Sequence, residues 1–175
     1  MKYILLPIML IVLFACQSQN DESLRKKSHP SHSYQYVEAD SADFSYFETD
    51  YLPVYSDIYD RDGTKRFMLA TTISVRNISL TDSACILQAD YYDSYGKLLH
   101  NYADTAIMLS PLESIEFVVE AMEGGGGAGA NFIIGWAAKN YANQLLIQSI
   151  MIGTYGQQGI SFLSEARLID SMTVK

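Results

Sequence analysis

From residue 51 onward, apolar and polar positions alternate in short runs rather than at helical spacing. Eight runs read as strands, at about 51–59, 67–76, 84–92, 97–108, 114–121, 131–138, 145–152 and 160–168. The runs at 67–76 and 84–92 are rich in Thr, Ile, Val and Tyr, types that suit a pleated, half-buried surface. Asp93-Ser94-Tyr95-Gly96 separates two of them as a hairpin loop with a glycine for the left-handed position. Ser110-Pro111-Leu112-Glu113 is a second turn. Gly135 falls inside a strand beside the lone Trp136, which predicts a bulge or a close backbone approach over a core tryptophan. Helical spacing is weak and confined to residues 137–147. Strands this closely spaced predict an all-β sandwich or barrel over residues 51–175.

The N-terminal pattern is different. Lys2 precedes residues 4–14, eleven positions without a charge. A bilayer span needs about 20 residues of helix, whereas this length suits the core of a signal peptide. Leu13-Phe14-Ala15-Cys16 resembles a bacterial lipobox, with Phe14 bulkier than the residue usual there. The expectation is a leader over 1–15, a lipidated Cys16 and a flexible, Ser- and acid-rich linker over 16–50, with 34–47 a candidate for docking on the domain. No aspartate follows Cys16, which favours the outer membrane over the inner. Arg25-Lys26-Lys27 forms a basic patch able to rest near anionic head groups.

Composition narrows the function classes. Of 175 residues 49% are hydrophobic and 18% charged, which excludes a disordered tail and a collagen-like repeat. A formal charge of -8 argues against nucleic acid as a partner, since phosphate neutralisation needs a basic surface. With only Cys16 and Cys85 present and the first lipidated, an intramolecular disulfide is excluded. Cys85, within an apolar run, reads as a buried inert thiol.

Catalytic motifs are sparse. Gly124, Gly126 and Gly129 satisfy G-x-G-x-x-G after a strand, but residues 131–136 read as another strand and no Asp or Glu occurs between Gly124 and Ser164. A dinucleotide site needs a helix and an acid there, so no cofactor is expected. Asp60-Arg61-Asp62-Gly63 is a fragment of a calcium loop whose twelfth position would be Thr71 rather than Glu. His29 and His32 lie in the linker without a third ligand, and no metal is expected. The one histidine of the domain, His100, sits in a strand, and no G-x-S-x-G occurs. Asp90, Asp93, Glu116 and Glu120 are the carboxylates that folding could pair for acid–base chemistry.

Several motifs together carry a resemblance. Tyr51-Leu52-Pro53-Val54-Tyr55-Ser56, Arg76-Asn77, Asp90-Tyr91-Tyr92-Asp93 with Gly96-Lys97, Gly129-Ala130-Asn131-Phe132, Met151-Ile152-Gly153-Thr154 and residues 157–162 resemble a family of bacterial lipoproteins built on one domain of unknown function, over residues 51–169. The long glycine run departs from that family's mixed loop. More loosely, the order of strands and turns is similar to immunoglobulin-like surface sandwiches. The resemblance implies an envelope location and carries no activity or catalytic residue. The fold expected is therefore all-β, an antiparallel, immunoglobulin-like β-sandwich of about eight strands.

Connection parity then suggests a functional end. If successive antiparallel strands cross the domain, the loops 60–66, 93–96, 122–130 and 153–159 emerge together, and they hold ten of the eleven glycines. The loops 77–83, 109–113 and 139–144 hold none. The candidate binding residues are Asp60, Asp62, Asp93, Tyr95, Gly124, Gly126, Gly129, Asn131, Tyr155, Gln157 and Gln158. The expected protein is not an enzyme. It is a membrane-anchored envelope module binding an envelope protein or small ligand, its glycine-rich end pointing away from the membrane; the alternative is an envelope hydrolase using paired carboxylates.

Overall fold

Thirteen strands, all paired antiparallel, and no α-helix are present among the described residues. A computed structural model describes residues 34–40, 43–60, 62–121 and 125–174. The leader, Cys16, Arg25-Lys26-Lys27, His29, His32 and Gly124 lie outside the described residues, as does the side chain of Tyr155. The strands are β1 (Gln35–Val37), β2 (Tyr46–Pro53), β3 (Asp57–Asp60), β4 (Lys65–Met68), β5 (Ala70–Asn77), β6 (Ala84–Tyr92), β7 (Leu98–Asn101), β8 (Ala106–Leu109), β9 (Ser114–Val119), β10 (Asn131–Ala138), β11 (Leu145–Tyr155), β12 (Gln158–Glu165) and β13 (Arg167–Thr173). One sheet runs β1-β8-β6-β10-β2-β13, with β7 also on β6; the second runs β12-β11-β5-β9; β3 and β4 form a separate ribbon. None of these sheets closes into a barrel.

The count exceeds the expected eight because four apolar runs each change partners partway. The run at 51–59 is the end of β2 and then β3, separated by Val54, Tyr55 and Ser56. The run at 67–76 breaks at Leu69, where the chain leaves the ribbon with β3 for the sheet of β11 and β9. Residues 97–108 divide into β7 and β8, and 160–168 divides at Ala166, where the chain passes from β11 to β2 as partner. β-favourable residues flank each break, so local composition cannot mark it. The weak helical spacing of 137–147 yields to the end of β10 and the start of β11.

The domain also begins earlier than residue 51. β1 pairs with β8 at one edge, and β2 lies between β10 and β13. The acidic positions of 46–50 disguised β2 as linker, yet Tyr46 and Asp50 are buried. Phe44 and Phe47, with Val37 and Met108, cover Cys85 and Ala137 on the outer face of the first sheet. β10 is therefore buried on both faces over most of its length.

Between the sheets lies one cluster to which both contribute: Leu52, Ile86, Ile107, Phe132, Ile134 and Trp136 from the first, Ile73, Val75, Ile115, Phe117 and Ile147 from the second. The alternation is cleanest in β9, where Ile115, Phe117 and Val119 point inward and Ser114, Glu116 and Val118 outward. Between Gly135 and Trp136 the register against β6 shifts, but the extra residue is Leu87 on β6; at Gly135 itself the neighbour comes close, a Cβ there lying 3.2 Å from Gln88 Cβ.

Cys85 is fully buried, and burial pushes its thiol pKa up to about 11. Since the thiolate is the reactive form, a thiol reagent should modify Cys85 only after denaturation. Mass spectrometry checks this, and rapid labelling of the native protein would contradict the packing.

Register defines two ends. At one, Asn77 Nδ2 donates to Asp82 O, Leu109 O and Ser110 O, and Asn143 Nδ2 to Ser83 O, so the turns around 78–83, 110–113 and 139–144 interlock. β5 runs from that end to Ala70, which pairs with Ile152 beside the ribbon of β3 and β4. The first described residues, Tyr34 and Gln35, lie on the Leu109 side of β8, toward the interlocked turns.

Candidate functional site

The loops rich in glycine meet at the opposite end, around the ribbon of β3 and β4. Its base is closed where Leu69 N donates to Ser56 O (2.9 Å). On one flank, residues 125–128, Ser94, Tyr95, Asp57, Tyr59 and Arg66 line a cleft of about 380 Å³. On the other, Ile58, Asp60, Phe67, Gln158 and Ile160 line a depression of about 280 Å³. Gly63, Gly96, Gly126 and Gly156 thus belong to turns gathered around one ribbon, at the end away from the turn that contains Pro111.

Two serines set the glycine loop. Ser94 Oγ donates to Gly126 O (2.9 Å) and accepts from Gly129 N (2.9 Å). Ser56 Oγ accepts from Gly127 N (2.7 Å), and Ser94 N donates to Gly126 O. Gly126 itself is required by proximity: a Cβ there would overlap the Tyr91 hydroxyl and come within 2.9 Å of Ser56 Oγ. Across the cleft, Arg66 forms an ion pair with the buried Asp57, donates to Tyr59 Oη (3.0 Å), and stacks 4.7 Å from the Tyr59 ring centroid. Asp57 holds the guanidinium even more firmly protonated. Tyr59 is 56% exposed and Tyr95 95% exposed.

The candidate residues fare unequally. Tyr95 and Gly126 line the cleft, and Asp60 and Gln158 the neighbouring depression. Gly129 borders Ser94, and Gln157 lies in the exposed turn after β11. Asp62 and Asp93 serve their own turns: Asp62 Oδ1 accepts from Thr64 Oγ1 and N, which lowers its pKa, and Asp93 Oδ1 accepts from the amides of Tyr95 and Lys97. Asn131 opens β10 opposite Tyr92 and Pro53 and is not among the residues that line the cleft. Asp57, Tyr59, Arg66 and Ser94 escaped the sequence reading, although Ser94 and Arg66 stand in its loops.

The carboxylates considered for pairing do not converge. Asp90 Oδ2 accepts from Gln88 and Tyr92 on its own strand, whereas Glu116 is on β9 in the other sheet. A different pair exists. Glu48 and Asp50, two apart and so on one face of β2, line a pocket of about 210 Å³ with Gln144, Glu165 and Leu168. Tyr46 Oη donates to Glu48, and Trp136 Nε1 donates to Asp50 Oδ2 (2.8 Å). Burial raises both carboxyl pKa values, and Asp50 raises that of Glu48 further. Protonation then favours the folded state: this contribution is fully present below the unfolded carboxyl pKa and is lost as pH rises through the raised folded values. Asp50→Asn keeps an acceptor for Trp136 without the charge. Its melting temperature should exceed the wild type's at neutral pH, with the gap closing in acid; a gap constant with pH would contradict the assignment.

No curated protein matches this sequence. The crystal structure of Thermotoga maritima 1070 is similar at 8% identity and a TM-score of 0.41, over 69% of this chain and 92% of that one. Residues 47–169, beginning inside β2, match the family described as protein of unknown function (DUF3124), and the chain belongs to that family.

Proposed function

We propose that this is a bacterial envelope lipoprotein, anchored through lipidated Cys16 and more at home in the outer than the inner membrane, whose domain is a non-catalytic binding or interaction module on an immunoglobulin-like sandwich. The observation that carries the binding role is the cleft at the glycine-rich end. Its loop is tied down by Ser56 and Ser94, and its rim presents exposed Tyr59 and Tyr95 beside Arg66. Exposed aromatic and arginine side chains on a fixed frame are what recognition sites enrich. The anchor rests on the lipobox-like Leu13-Phe14-Ala15-Cys16. Two acyl attachments hold a protein at a membrane far more firmly than one.

Two measurements test this reading. Wild-type chain should incorporate labelled fatty acid, and Cys16→Ser should abolish incorporation and move the protein to the soluble envelope fraction; unlabelled wild type overturns the anchor. For the binding role, full-length chain immobilised in envelope extract should retain a ligand that Tyr95→Ala loses. Equal retention by both would move binding away from the cleft.

The hydrolase alternative draws on a different observation, the Glu48–Asp50 pair facing a pocket. Two carboxyls whose pKa values burial raises, side by side at a pocket, are groups an acid–base mechanism can use. Its position beside Leu145, Leu146 and Ile147, with Asp50 bound to the core Trp136, suits a structural role better.

A further inference from the structure

We propose that the cleft between the ribbon of β3 and β4 and the glycine loop takes a neutral saccharide, with Tyr95 stacking on a sugar C–H face and the Arg66–Asp57 pair, its guanidinium laid on Tyr59, meeting vicinal hydroxyls. The proposal rests on the binding-module reading and names its ligand class. Charge is the first reason. Arg66 and Asp57 neutralise each other within the cleft, so an anion would have to displace the buried Asp57 carboxylate and a cation would meet the guanidinium. The chain's formal charge of -8 disfavours anions further. An apolar ligand gains little, because Asp57, Arg66, Ser94 and glycine backbone make up much of the wall.

Backbone bonding is the second reason. An extended peptide added to a rim needs free amides and carbonyls. Here the amides of Gly127 and Gly129 already donate to Ser56 and Ser94, and Gly126 O accepts twice. The cleft also presents the exposed Tyr95 ring and the Arg66–Asp57 pair, a donor and an acceptor held side by side. A sugar ring presents the complementary surface, an apolar face edged by hydroxyls that both donate and accept. A cleft of about 380 Å³ lies within the range of roughly 300–1,000 Å³ usual for small-ligand sites.

The test is saturation-transfer difference NMR on the full chain in micelles of a non-glycosidic detergent, with chitotriose and cellotriose as probes. Transfer to ring C–H protons is expected for at least one, unchanged by added salt because neither the sugar nor the Arg66–Asp57 pair as a whole carries net charge. Tyr95→Ala, too exposed to disturb the fold, should bind roughly tenfold more weakly, the scale of one lost aromatic contact; Arg66→Ala should bind more weakly still. No transfer from either probe, or undiminished transfer to Tyr95→Ala, overturns the saccharide assignment. If both probes fail while Tyr95→Ala still loses the ligand retained from envelope extract, the ligand class is wrong and the module stands. If a saccharide binds and Tyr95→Ala retains it, the cleft itself is the wrong site.

Discussion

Trp136→Ala should lower stability by about 3–5 kcal/mol, the usual cost of deleting a large buried aromatic. Marginal domains have about 5–15 kcal/mol in total, so urea denaturation should show a large drop in midpoint. The side chain is 1% exposed and meets Tyr46 edge-on, with ring centroids 5.6 Å apart. Its indole N–H also donates to Asp50, which is 5% exposed. Truncation therefore leaves a cavity and removes the donor of a buried carboxylate, two losses at one position. Trp136→Phe separates them. It restores most of the volume and should cost about 1–3 kcal/mol for the missing donor, a cost that Asp50→Asn should reduce. If Trp136→Phe is neutral, the Asp50 contact contributes nothing to the fold.

Gly126→Ala should lift the glycine loop off β6 and destabilise the domain by about 1–3 kcal/mol, the range for forcing a methyl group into filled space. Its backbone is not in the left-handed region; what forbids a side chain is the Tyr91 hydroxyl. Tyr91 cannot swing aside, because its ring is buried and stacked on Phe132 with centroids 5.1 Å apart. The loop must move instead, straining its bonds to Ser56 and Ser94 and opening the cleft. Hydrogen exchange should then quicken at the amides of Gly127 and Gly129. Tyr91→Phe removes the nearest atom, so Gly126→Ala should cost less in that background; a double-mutant cycle should give a coupling of about 0.5–3 kcal/mol. Additive effects would place the obstruction elsewhere.

How far the sequence could be read differs from element to element. The hairpin at residues 93–96 and the strand at 131–138 follow from local chemistry, and both are present. Each depends on residues within a few positions of one another. The sheet switches at Leu69 and Ala166 do not: both sides of each are β-favourable, and only the partner changes. β2 was hidden for a related reason. Glu48 and Asp50 read as linker acids, and it takes Tyr46 and Trp136, the latter 86 positions from Asp50, to make an acidic stretch an interior strand.

The same division governs the cleft. Parity of connections placed the glycine loops at one end, because antiparallel strands that each cross the domain leave successive turns on alternating sides. Which side chains line that end was beyond it. Asp57 and Arg66 meet across the ribbon, and Ser94 holds a loop 32 residues away. The sequence by itself determined an all-β antiparallel domain, where most of its turns fall and at which end they gather, since turn chemistry and hydrophobic alternation are local. Only the tertiary structure decided how many strands those runs become, which carboxylates pair and which residues form the cleft, since each depends on long-range partners that local pattern does not encode.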